Sequence, residues 1–278
     1  EFLTQFDSRM FARGALLAPV RPEWRPLADA LQPKWTIDLV GNTHWSSLYL
    51  PVNAAVRALL SLAPAAAFAS AAWAAASCAL TYHLARRLWP ARRDAAVVAT
   101  LLLAGSSQLM VTAMTAYAMS AHLALNLACL ALFLDDRRWS RAGAVGVGFL
   151  ACGLHQLVFH PLFVAPFILE LWLARRWGPA AFYTGAYAVI GAIWTLYWSF
   201  AVGVVHAQPA VSEGVGAAFL LTRVAEMLGT FDPAGAGLMA KQLLRLLAWQ
   251  HPLALPLVLA ALPGAALARG PLRPLLLG

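Results

Sequence analysis

Seven stretches of this chain stay apolar for about the thickness of a bilayer, and no other feature limits its fold as much. Crossing the hydrocarbon core by helix takes roughly 17–25 apolar residues. Residues 64–84, 94–114, 117–134, 142–158, 161–174, 180–205 and 252–268 are the candidates. They are rich in Ala and Leu and apolar all round. That suits helices, which satisfy their own backbone, and not the alternating strands of a barrel. The fifth block, 161–174, rises only about 21 Å as a helix. It reads as a short or partly re-entrant helix following a break at His160-Pro161. Charged residues make up 12% of the chain, about half the share of a soluble domain. The expected fold class is all-α: a polytopic transmembrane helix bundle with outward-facing interfacial helices in its first loop.

The arginines orient that bundle. "ARRLWPARRD" (85–94), "DDRRWSR" (135–141), "ARRWG" (174–178) and "ARGPLR" (268–273) are short basic loops between apolar blocks. With those four cytoplasmic, the positive-inside rule places 1–63, 115–117, 155–161 and 206–251 outside, and the alternation closes without a violation. The expected organisation is an extracytoplasmic loop at 1–63, a helix array at 64–205 of about six spans, a second extracytoplasmic loop at 206–251, and a final span with a cytoplasmic end at 252–278. A bacterial inner membrane is the expected location. The net charge of +8 is spread through these loops and forms no patch, which argues against nucleic acid as a partner. Cys78, Cys129 and Cys152 lie inside apolar blocks and read as small buried side chains, not disulfides or metal ligands. The chain does not begin with Met and shows no signal peptide, so a longer natural protein is expected.

Both outer segments look amphipathic. In "DSRMFARGALL", Phe6, Met10 and Leu17 recur at near-helical spacing with arginines between them. "SSLYLPVNAAVRALLSL" (46–62) is a second interfacial candidate, with Arg57 on its polar side. In the later loop "LLTRVAEML" and "LMAKQLLRLLAW" are split by the turn-like "TFDPAGAG".

Polar residues outside the basic loops concentrate on the outer side, so an active site there would face out. Asp7 reads as an N-cap of an amphipathic helix or as a general base or metal ligand; the two are compatible. His155 and His160 flank the shortest block; five residues apart, they are not the zinc pair of one helix face. With a break at Pro161 they line one outward cavity, or else each hydrogen-bonds a neighbouring helix. His44, in "GNTHWSSLYLP", suits a headgroup or sugar, or an interfacial anchor built on Trp45 and Tyr49. His122 and Asn126 sit one turn apart and read as helix-to-helix contacts, and the glycines of "GAVGVG" as close packing. Arg57, Arg223, Lys241 and Arg245 are outer basic residues. They snorkel to lipid phosphates or clamp the phosphate of a lipid-linked substrate, for which guanidinium geometry is suited.

The layout resembles the GT-C superfamily of integral-membrane glycosyltransferases, which includes protein O-mannosyltransferases and lipid A aminoarabinose transferases. "FDSRMFARGALLAP" matches that family's first-loop pattern at the leading aromatic, Asp7, Phe11, Gly14 and Pro19. "HWSSLYLPVNAAVRALL" resembles its aromatic-Pro lead-in to the next helix. "YHLARRLWPARRDAAVVATLLLAGSSQLM" is similar to its helix–ArgArg–helix hairpin, and "AVGVGFLACGLHQLVFHPLFVAPFILELWLARRW" to its paired short helices. The match is of pattern and order over roughly 1–200. The resemblance implies transfer of a sugar from a polyprenyl-phosphate donor to an outer acceptor. Asp7 would be the general base, and Arg57, Arg223 and Arg245 would hold the leaving phosphate, with His44, His155 and His160 as further substrate contacts. Many members carry a second acid after the first; Ser8 stands there, so a divalent metal has weak support.

Two other classes compete. A non-catalytic membrane scaffold subunit fits the missing second acid and the many Ala and Gly residues on spans, and it implies other membrane subunits as partners. A transporter would use the break at His160-Pro161, but no matching broken pair occurs in the two halves.

Overall fold

The computed structural model describes residues 2–31, 36–39, 43–62, 65–201 and 233–250. The chain is mostly helical. Its first segment holds α1 (Phe2–Ala12), β1 (Ala18–Pro19), a 3-10 turn (Pro22–Leu27), α2 (Ala28–Leu31), β2 (Thr36–Leu39), β3 (His44–Ser47) and α3 (Val52–Leu60). An array follows: α4 (Ala69–Leu88), α5 (Arg93–Ala104), α6 (Ser107–Ala113), α7 (Met119–Asp135), α8 (Arg138–Cys152), α9 (Phe159–Leu173) and α10 (Trp177–Ala201). The last described helix is α11 (Pro233–Gln250). The block at 252–268 lies outside the described residues.

The all-α expectation holds for the helices but missed a small antiparallel sheet, ordered β1-β3-β2, with Ala18 opposite Trp45 and Thr36 opposite Ser47. Pro19 is tolerated because β1 is an edge strand. α1 ends in a Schellman turn. Gly14 takes φ 73°, its N–H bonds Phe11 O at 2.9 Å, and Ala15 N–H bonds Met10 O at 3.2 Å. Glycine adopts this left-handed geometry at no steric cost. The turn sends 15–19 back along α1. Leu17 is therefore on the returning strand side and not on the helix, contrary to the spacing argument.

Small side chains let the array pack closely. Ala144, Ala151, Cys152 and Ala180 are fully buried, as expected where helices approach through small residues. All three cysteines are free, with Cys129 and Cys152 buried. The block at 94–114 is a bent pair, with α5 and α6 meeting at 58° around Gly105-Ser106. The expected break at His160-Pro161 does not occur. α9 begins at Phe159, so Pro161 sits in its first turn, where a missing N–H costs nothing. The chain departs from helix earlier, between Cys152 and Phe159. Likewise "TFDPAGAG" is not wholly a turn, because Pro233 starts α11.

Two polar clusters mark opposite ends of the array. At one end the basic loops meet: Arg87 pairs with Asp135 (3.7 Å), and Asp136 accepts from Arg141 (3.0 Å) and Arg176. At the other end the first segment docks. Leu50 N–H bonds His155 O (3.0 Å), Val52 N–H bonds Gly153 O (2.9 Å), and Asn53 Nδ2 donates to Ala116 O (3.1 Å).

Among the described residues one helix stretch, Trp177–Tyr197, is long and apolar enough to cross a membrane, or two if the bent pair counts as one; α7 and α9 are shorter apolar helices. Only 22% of the 177–197 window is buried, whereas the core helix of a soluble protein is mostly covered. Leu101, Met114, Leu162, Leu173 and Val189 are exposed.

Candidate functional site

Asp7 does not cap α1. It lies in the middle of the helix, whose buried face consists of Leu3, Asp7 and Met10. The N-cap expectation fails because the helix starts five residues earlier, at Phe2. This face packs on α3 and reaches β3. Asp7 is 4% exposed. Its carboxyl is hydrogen-bonded by the side chain and main chain of Ser47, at the end of β3. Ser47 Oγ itself accepts from Tyr49 N–H at 3.0 Å, which leaves its proton for Asp7. Oδ1 of Asp7 is buried with no hydrogen-bond partner among the described residues. Burial raises the carboxyl from its ordinary 3.8 to about 7, against the lowering effect of Ser47. Tyr197, near the end of α10, is close enough to feel its charge. Tyr197 gave no signal in sequence; Ser47 lies within "HWSSLYLP", but there His44, Trp45 and Tyr49 carried the reading.

Arg57 faces inward, not toward the polar side of α3. It is 9% exposed and shares the buried face with Asn53, Ala54 and Ala58. Its guanidinium donates to Ser70 Oγ, to Thr115 O (3.3 Å) and to Ala66 O (3.5 Å). Ser70 Oγ also donates to Thr115 O at 2.5 Å. The 114–118 turn between α6 and α7 leaves carbonyls without helical partners, and Asn53 and Arg57, one turn apart, collect two of them. The helix is thus polar inside, while Leu59 is exposed.

The histidines separate. His44 opens β3, and its Nδ1 contacts Thr43 Oγ1 at 3.1 Å. His155 stacks on Tyr49, with ring centroids 4.0 Å apart. His160 is fully buried. Asn126 Oδ1 lies 2.6 Å from its Nδ1 and the Tyr187 hydroxyl 2.7 Å from its Nε2. An amide oxygen only accepts, so Nδ1 carries the proton and Nε2 accepts from Tyr187. His160 therefore joins α7, α9 and α10, and the structure does not bring it together with His155 in one outward cavity. Both ring nitrogens of His122 are buried with no partner among the described residues, and Phe159 meets its ring edge-on. Arg245 and Lys241 are exposed on α11. Arg223 lies outside the described residues.

No three His, Cys, Asp or Glu side chains group closely enough to hold a metal ion among the described residues. With one carboxylate and no second acid beside it, this face of α1 does not fit a divalent metal. Comparison with protein-family models, with curated proteins and with solved structures returns no match.

Proposed function

We propose that this chain is a multi-pass membrane glycosyltransferase of the GT-C type, moving a sugar from a polyprenyl-phosphate donor to an acceptor on the extracytoplasmic side. The supporting observation is Asp7, a mid-helix carboxyl kept from water, with an orphan oxygen and a pKa of about 7. A general base works best with a pKa near the working pH, and burial of this kind is a mark of functional carboxylates. Asp7 takes the proton of the acceptor hydroxyl as that oxygen bonds to the anomeric carbon. The carbon–oxygen bond to the donor phosphate breaks, and its electron pair leaves with the lipid phosphate. The multi-pass topology is supported by the gathering of three basic loops at one end, and by apolar side chains exposed along α5, α9 and α10.

The decisive test is transfer by the reconstituted Asp7→Asn protein, read as release of polyprenyl phosphate from a polyprenyl-phosphate-sugar donor. Loss of release with unchanged folding is expected, and wild-type turnover would sink the assignment.

A scaffold subunit is the second reading. It is favoured by the closed surroundings of Asp7, which is 4% exposed. On that reading Asp7→Ala leaves function intact, and substitutions along α9 and α10 disrupt assembly instead.

A further inference from the structure

The outer face of α1 carries a cleft that the Asp7 chemistry does not use. It encloses about 380 Å³ and is walled by Phe2, Phe6, Arg9 and Arg13 on one side and Leu17 and Pro19 on the other. The Schellman turn at Gly14 builds the second wall by folding 15–19 back on the helix. At 3.6 residues per turn, Arg9 points about 200° away from Asp7 around the helix axis. The two arginines therefore point away from the carboxyl, while Met10, on the buried face beside Asp7, forms an edge of the cleft.

Arg9 and Arg13 stand one turn apart, so their side chains are neighbours. Both are exposed, and neither is held by a carboxylate among the described residues. Phe2 and Phe6 stack beside them with centroids 6.1 Å apart. Two unpaired guanidiniums match the oxygens of a phosphate. The apolar wall offers a free phosphate nothing, and the volume lies in the range of pockets for organic ligands, about 300–1,000 Å³. An amphiphile with an anionic phosphate head and an apolar tail satisfies both halves.

We propose that this cleft binds the phosphate headgroup and first acyl segment of an anionic bilayer phospholipid, seating α1 on the membrane surface. The site is independent of the transferase reading, because its charged side chains, Arg9 and Arg13, point away from Asp7 around the helix.

The test uses the full chain in neutral detergent. It is titrated with dihexanoyl phosphatidylglycerol, with the matching phosphatidylcholine and with inorganic phosphate, and binding is followed by native mass spectrometry. Phosphatidylglycerol is expected to bind at least tenfold tighter than either of the others. The R9Q/R13Q pair should lose that preference while eluting and melting as the wild type does. Phe6→Ala provides a second probe that keeps both charges, and it should weaken phosphatidylglycerol severalfold. Asp7→Asn should bind the lipid normally even where transfer is abolished, which separates failure of this site from failure of the enzyme. Equal affinity for the two lipids would overturn the proposal, as would phosphatidylglycerol binding unchanged in both R9Q/R13Q and Phe6→Ala. Inorganic phosphate binding as tightly as phosphatidylglycerol would assign the site to a free anion and overturn the lipid.

Discussion

Asp7 on α1 and Ser47 at the end of β3 form a closed polar contact between a helix and a sheet that are 40 residues apart in the chain. The tight register of β3 against β1 and β2 fixes where Ser47 lies. Burial and Ser47 act on the carboxyl in opposite directions, and burial wins, leaving the acid at about 7. A hydrogen bond to a charged group is worth about 1.5–3 kcal/mol, so Ser47 sets how far the shift goes.

Ser47→Ala removes the hydroxyl and keeps the main-chain contact. The carboxyl should then titrate about one unit higher. In a transferase that relies on ionised Asp7, activity rises with pH through about 7, and the variant's rising limb should move up by the same amount. A pH–rate profile of the two proteins checks this; identical profiles would remove Asp7 from the rate-determining proton transfer.

The same shift has a cost in stability. Between pH 3.8 and about 7 the folded chain holds a proton on Asp7 that the unfolded chain has released. Stability from this group is therefore highest below 3.8, falls as pH rises to about 7, and is flat beyond. The full loss is of the order of 4 kcal/mol. Asp7→Asn carries no charge at any of these values. Relative to wild type it should become more stable from pH 4 to pH 8, measured as melting temperature in one detergent. A fixed difference across that range would mean that Asp7 is not buried as a charge.

Much of the helical array was readable because long apolar blocks leave the backbone few alternatives. The ends of α7 and α9 fall within two residues of the apolar blocks at 117–134 and 161–174. The first segment was less legible for physical reasons. β1 and β3 are two and four residues long and include Pro19 and "HWSS", too short for alternation to register. α1 spreads Phe2, Leu3, Phe6, Met10 and Phe11 around its circumference, so apolar spacing could not say that Asp7 turns inward. Arg57 was misplaced because amphipathic logic assumes that charge seeks water. Here Thr115 O of the 114–118 turn, Ala66 O and Ser70 Oγ supply its partners.

Arg57 gives a prediction that separates two roles. If it pins α3 to the 114–118 turn, Arg57→Met takes the guanidinium from Ser70 Oγ and Ala66 O, leaves Thr115 O with the Ser70 hydroxyl as its side-chain donor, and costs about 1–3 kcal/mol. Melting should fall, and proteolysis at the 114–118 turn should speed up, with donor KM unchanged in the folded fraction. A raised KM at unchanged melting temperature would instead make Arg57 a phosphate ligand.

Gly148 tests the hydrogen-bonded core of the array. A methyl group there would fall on the Tyr187 hydroxyl and lie 3.0 Å from His160 Nε2. Neither neighbour can step aside cheaply: His160 is fully buried and held on both nitrogens. Gly148→Ala must break the His160–Tyr187 bond or push α8 from α10, and overpacking of this kind costs about 1–3 kcal/mol. Tyr187→Phe removes the hydroxyl that the methyl would strike. The double variant Gly148→Ala/Tyr187→Phe should therefore be more stable than the sum of the single losses predicts, a coupling readable in a double-mutant cycle of melting free energies. Simple additivity would mean that Gly148 does not face Tyr187, and that α8 meets α10 elsewhere.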